Sequence, residues 1–364
     1  MPALLEELSK SPRVLIEAAL KPVAGSRIQP TGFPDLGPAF YEAPDGNGGV
    51  VPTLLVESAQ SMANRLEAVC WDDATDDIVP ELRGLPFIRV ALEGPLAEGD
   101  NSTSSLLEFH RLNSPYIMSG AMKDGTPFID KLRQELGLTT AAKGNSDANE
   151  DDDDKERDDV AGVVNMRKLA AACFKYDPNS LVHGVFLEKI AGRLRHPRAL
   201  SAFIEATGVG RADSGGVKFD RALPKPKVAG VDAAGGYGNV PFHRTEFTAR
   251  SITAYFSVDL AQIRGYGLSA EGSDLLIALS LWKIRKFLDS NMRLRTACEL
   301  ELMDADSPVK AKRPKDFDLP SAAALSKEIA TWIEKCGKAF AKPAVTELTW
   351  TGGKPATEKK VKVK

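Results

Sequence analysis

Thr248–Leu260 reads TARSITAYFSVDL, and within it Ile252, Ala254, Phe256, Val258 and Leu260 fall on one side of an extended chain. A repeat of two residues is that of a strand with one buried face and one wet face. The same repeat occurs in Arg13–Lys21, where Val14, Ile16, Ala18 and Leu20 share a side, and in Phe87–Glu93, where Ile88, Val90 and Leu92 alternate with Arg89 and Glu93. It returns where Leu294, Cys298, Leu300 and Leu302 alternate with Arg293, Arg295, Glu299 and Glu301, read as one strand. Strands wetted on one face belong to antiparallel sheets, because parallel sheets are covered on both.

Between these strands the repeat changes to that of a helix. At 100° per residue, Ala59, Met62, Ala63, Leu66 and Val69 cluster, leaving Ser58, Ser61 and Arg65 on a polar side with Gln60 and Asn64 one turn apart. Asp274–Asn291 is a second helix, with Leu275, Leu279, Trp282 and Leu288 inward and Lys283, Arg285 and Lys286 expected in water. Asn165–Phe174 and Pro197–Ala206 read as shorter helices, and Ser321–Phe340 as a third long one. Interleaved helices and one-sided strands predict an α+β fold with helices on one face of an antiparallel sheet.

The chain has 364 residues, 43% hydrophobic and 27% charged, enough for a substantial core. No apolar run approaches the roughly 18 residues of a membrane span, and MPALLEELSKSPR lacks the basic-then-apolar pattern of a secretory signal. Cys70, Cys173, Cys298 and Cys336 stand far apart, which fits a reducing compartment and predicts a cytoplasmic protein without disulfides. The formal charge of −3 conceals an uneven distribution. Asp147–Asp159 carries nine acidic and two basic residues, and the terminal KPATEKKVKVK carries five lysines and one glutamate. The remainder is close to neutral, so any basic surface must be local. The acidic run at 139–160 reads as a solvated insertion, since so few apolar residues cannot offset the entropy of ordering it.

Two stretches rich in glycine and proline stand out. AGSRIQPTGFPDLG (24–37) follows the first strand, and 208–241 runs for more than 30 residues without a helical repeat, as functional loops and arms do. The chemistry of familiar enzymes is missing: there is no GxxxxGK[ST], GxGxxG or GxSxG motif. His110, His183, His196 and His243 have no neighbour at metal-ligand spacing, which predicts no metal and no cofactor. Asp35 in FPDLG is the nearest to a catalytic carboxylate, and the same context makes it a turn residue.

Three stretches together, AGSRIQPTGFPDLG, VESAQSMANRLE and DPNSLVHGVFLEKIAGRLRHPRALSAFIEA, resemble the Cas-seven-type backbone subunit of the type I-G (formerly I-U) CRISPR Cascade complex. The resemblance spans most of Val14–Leu302. It implies a modified RRM or ferredoxin-like palm over 1–302, the acidic insertion at 139–160, a thumb-like arm at 208–241, a helical segment at 303–342 and a basic, unordered tail at 343–364. It also implies the partners: CRISPR RNA, target DNA through the guide, further copies in a helical stack, a fused Cas-five/Cas-six-type protein and a large subunit, with no membrane. Type I subunits of this kind do not cut. In type III relatives an aspartate after the first strand cleaves RNA, and Asp35 occupies the corresponding loop.

A protein that leaves sequence reading to base pairing must hold a ribose-phosphate backbone with cations and small polar groups. Ser58, Gln60, Ser61, Asn64 and Arg65 supply them along one helix, which otherwise presents an ordinary solvated face. Arg27 and Gln29 lie in the first glycine-rich loop, as RNA contacts or as parts of a tight turn. Lys218, Arg221, Lys225 and Lys227 in the arm suit RNA, a neighbouring copy or solvent. Arg193, Arg195 and Arg198 suit phosphates or a helix C-terminus, and Arg293 and Arg295 suit RNA or solubility.

Overall fold

The computed structural model describes residues 3–33, 35–94, 101–140, 160–161, 163–188, 190, 194–222, 224, 237–315 and 317–352. Strand β1 (Arg13–Pro22) is followed by β2 (Phe40–Pro44), β3 (Val50–Glu57) and helix α1 (Ala59–Ala68). Strand β4 (Phe87–Leu92) and helix α2 (Met166–Tyr176) precede β5 (Leu200–Thr207), which leads into a hairpin of β6 (Gly210–Lys218) and β7 (Val240–Thr248). The chain then forms β8 (Ser251–Asp259), the long helix α3 (Ala270–Asp289), β9 (Met292–Arg295), β10 (Cys298–Leu302), helix α4 (Ala322–Cys336) and β11 (Val345–Trp350).

The main sheet is antiparallel with the order β9-β10-β1-β8-β5-β3-β2, and Ala311–Arg313 also pairs with β1. With β2 and β3 set aside, β1, β5, β8 and the β9–β10 pair, separated by α1 and α3, give the βαββαβ plan of a ferredoxin-like palm. Register explains its solidity. Val14–Val258–Leu200, Ile16–Phe256–Ala202, Ala18–Ala254–Ile204 and Leu20–Ile252–Ala206 form four rows across β1, β8 and β5. Every member is buried, and the alanines in three of the rows leave room for α1 and α3 to seat against the sheet. The opposite face is half-wet and carries the stacked rings of Phe203 and Tyr255, 4.9 Å apart.

Pro197–Ala206, expected as a helix, is instead the central strand β5. Its alanines and glutamate favour a helix, but Leu200, Ala202, Ile204 and Ala206 alternate, and pairing on two sides overrides local propensity. The stretch expected as one strand from Arg293 is a hairpin, turning where Ala297 adopts φ 57°. Phe87–Leu92 is a strand of a separate four-stranded sheet, parallel to β11. Since β11 covers Val345–Trp350, that part of the expected tail at 343–364 is ordered; 353–364 lie outside the described residues. At the other insertion Thr139–Thr140 pair with Val160–Ala161, and 141–159 lie outside the described residues. No helix among the described residues is long and apolar enough to cross a membrane.

Helix α3 is buried on nearly every side because the sheet flanks it on one side and α4 on another. Lys283, expected in water, is fully buried, with its ammonium 2.9 Å from His183 Nε2. An ammonium only donates, so Nε2 accepts and the ring hydrogen of His183 sits on Nδ1. Burial, then the charges of Lys283, Arg111 and Arg198, holds His183 well below the ordinary histidine range. The unfolded chain therefore takes up this proton first as pH falls. The stability contributed by neutral His183 is full above about pH 6.5 and declines below it, by about 1.4 kcal/mol per pH unit. Urea titrations of His183→Asn beside the unmodified protein should show their difference in stability shrinking from pH 7 to pH 5; a constant difference would contradict the assignment.

Candidate nucleic-acid interface

The geometry begins at a bulge. Ile204 pairs with Glu57 but Glu205 pairs with Leu55, so β3 carries one extra residue and both Val56 and Glu57 turn inward. Glu57, 1% exposed, is clamped from two sides: Arg65 Nε lies 3.4 Å from Oε1, and Arg295 donates to Oε2. Arg65 also donates to the carbonyls of Leu294 and Arg293, and Arg295 to those of Gln29 (3.1 Å) and Val56 (3.0 Å). The two arginines thus join the first glycine-rich loop, β3, α1 and the β9–β10 hairpin around one buried carboxylate. Glu57 offsets one of the two charges, and these bonds turn both guanidinium groups to the interior, which alters the role expected of them from sequence.

Beside this clamp lies an open cleft of about 460 Å³, bounded by Gln29–Gly32, Gly37–Pro38, Thr245 and Arg295. Gln29 lines it with a buried Oε1 that has no hydrogen-bond partner. The loop is held open by its ends: Gln29 N–H donates to Ala297 O, Thr31 N–H donates to Val56 O, and Arg27–Ile28 pair with Thr248 and Phe247 of β7. Gly32 packs so close to Gly37 that an added Cβ would lie 3.1 Å from its carbonyl oxygen, so a side chain there would need the Gly37 backbone to shift by a few tenths of an ångström. Asp35 is exposed in the turn between them. No group of three or more His, Cys, Asp or Glu among the described residues is placed to hold a metal ion.

The β6–β7 hairpin gives Thr245 to the cleft and places Arg211 beside it. Arg211, Asp213, His243 and Thr245 share one face by register, and Arg211 donates to Thr245 Oγ1 at 3.2 Å. On the other face Glu246 is buried between Arg27 (3.2 Å) and Arg244 (3.8 Å), two cations on one carboxylate. Lys218 and Arg221 are exposed farther out, while Lys225, Lys227 and Arg193 lie outside the described residues. Sequence reasoning missed Thr31, Arg211, Arg244 and Thr245. The alternation of VPFHRTEFT was a signal for β7, but only register shows which of its residues meet Gln29.

Along α1, Ser58 caps the helix by accepting from Ser61 N–H at 3.3 Å, which occupies its hydroxyl oxygen. Gln60 and Asn64 are exposed, and Gln60 Oε1 accepts from Arg198 on the opposite flank from the clamp. There Arg195 lies over the Phe186 ring, 5.1 Å from its centroid. Arg293 pairs with Glu299 at 3.2 Å on the surface. The expected residues therefore divide into two groups flanking α1, one at the clamp and cleft and one around Arg195 and Arg198.

The profile of the family described as CRISPR-associated protein GSU0053 matches residues 14–211, more than half of the chain. No curated protein matches it. Among solved structures, a chain of a CRISPR RNA-guided surveillance complex, pre-nicking, is 15% identical with a TM-score of 0.38, covering 79% of this chain and 73% of that one. A crystal structure of Thermofilum pendens Csc2 is 9% identical with a TM-score of 0.30, covering 92% and 79% respectively.

Proposed function

The chain belongs to the CRISPR-associated GSU0053 family, which is of the Cas-seven type, and from that premise we propose that it is a non-catalytic backbone subunit binding CRISPR RNA in a type I-G Cascade complex. Copies stack along the guide and hold its backbone while its bases pair with target DNA, in the cytoplasm and beside a fused Cas-five/Cas-six-type protein and a large subunit. The observation that supports this best is the cleft where Gln29, Thr31 and Thr245 meet, with Arg295 in its lining and Arg211 bonded to Thr245 at its side. Small hydroxyl and amide groups next to cations, with no deep apolar pocket, suit a ribose-phosphate strand held without reading its bases.

Co-expressed with a CRISPR array, the protein should purify as an assembly containing guide RNA, with a 260/280 nm absorbance ratio well above that of protein alone. Recovery as an RNA-free monomer would refute the proposal. Incubated with complementary RNA and Mg²⁺, the assembly should leave the RNA intact. Regularly spaced cuts that disappear in Asp35→Ala would make it a nuclease instead.

A further inference from the structure

On the flank of α1 away from the cleft, a second cavity of about 570 Å³ opens between Arg111, the His183–Phe186 turn and the Arg195–Arg198 segment. Its lining holds cations and no acidic side chain among the described residues. Arg111 is neutralised from behind by Glu67, which accepts from its Nε and Nη2 at 2.5 Å. Among the described residues Arg195 and Arg198 have no such carboxylate, and Arg198 donates to the Ala59 carbonyl and Gln60. Burial, then the charge of Arg111, presses the Arg198 guanidinium below its ordinary range, with Glu67 offsetting this only in part. The cavity therefore holds an excess of positive charge that an anion would relieve.

A second, independent feature is polar. His183 lines the cavity, is fully buried, and has no hydrogen-bond partner for Nδ1, the nitrogen left with the hydrogen once Lys283 occupies Nε2. His196 lines the same space with Nε2 buried and unpartnered. Buried polar atoms are rarely left so, and two in one cavity mark a place where a polar ligand is received. A third feature is aromatic. Phe186 and Phe109 line the cavity while 38% and 57% exposed, and Arg195 already stacks on Phe186.

Flat apolar rings beside guanidinium groups match a nucleotide, which joins a π-face to a phosphate. A free phosphate would leave the rings without a role, and an acidic peptide has no ring to place on them. We propose that this cavity holds one nucleotide of a single-stranded nucleic acid, its phosphate on Arg195 and Arg198 and its base against Phe186. The inference rests on the reading of the chain as an RNA binder and adds to it a position where a base, and not the backbone alone, is gripped.

The test uses the full chain and two labelled ribo-oligomers of equal length, an oligouridylate and its abasic counterpart, titrated at low salt. Phe186→Ala should weaken oligouridylate binding about tenfold and leave the abasic oligomer unaffected, since stacking needs a base. Phe186→Tyr should retain the original affinity, and Arg195→Ala should weaken both oligomers. If the unmodified protein binds both and Phe186→Ala changes neither, the cavity is not a nucleotide site, although the chain still binds RNA. If the unmodified protein binds neither oligomer, the RNA-binding reading fails along with this one. Equal melting temperatures for the variants would show that the differences are not loss of fold.

Discussion

Replacing Arg65 and Arg295 together by alanine is expected to cost about 5 kcal/mol of folding stability, the upper end for breaking a buried ion pair. The reason is the position of the charge left behind. Glu57 is 1% exposed and would be left buried with neither cation to face, whereas the two arginines are about a quarter exposed and can still reach water. Removing Glu57 instead should therefore cost less, about 3 kcal/mol. Removing all three should cost less than removing the arginines alone, because no isolated charge then remains buried. Guanidinium denaturation of the single, double and triple variants measures each value. A triple variant less stable than the double would show that Glu57 does not depend on these partners.

The second large effect concerns salt. If Arg27, Arg211 and Arg244 each neutralise one RNA phosphate, replacing all three by alanine removes about three phosphate contacts and lowers the slope of log affinity against log salt by about 2.1, the single-strand value. Between 50 and 200 mM salt the unmodified protein should then lose about 20-fold more affinity than the triple variant. Arg65→Ala should behave differently. Its donors face Glu57 and the carbonyls of the β9–β10 hairpin, so it should reduce stability while leaving the salt slope near that of the unmodified protein. Filter binding of a labelled guide across a salt series separates the two cases. A slope unchanged in the triple variant would place the phosphates elsewhere on the surface.

Several features were legible because they depend on near neighbours in the chain. The repeat in TARSITAYFSVDL identified β8, the wheel of Ala59–Val69 identified α1, and the stretch AGSRIQPTGFPDLG marked the loop that lines the cleft. The misreadings share a cause. Leu200–Thr207 has the composition of a helix and became a strand because β8 and β3 offered backbone partners on both sides. Lys283 lies on the charged side of a helical wheel, yet His183 from a distant segment accepts its hydrogen bond in the interior. Arg65 has the spacing of a solvent-facing cation, but the bulge at Val56 turns Glu57 inward to meet it. In each case the deciding contact lies far along the chain, where a local pattern carries no information.

By itself the sequence determined which segments alternate, which coil, and where glycine and proline open the chain, since these follow from side-chain size, polarity and backbone freedom within a few residues. Tertiary structure alone decided which cations remain available to a ligand. A guanidinium's role depends on the nearest carboxylate in space: strand register and one extra residue in β3 place Glu57 between Arg65 and Arg295, while Arg195 and Arg198 have no acid beside them among the described residues.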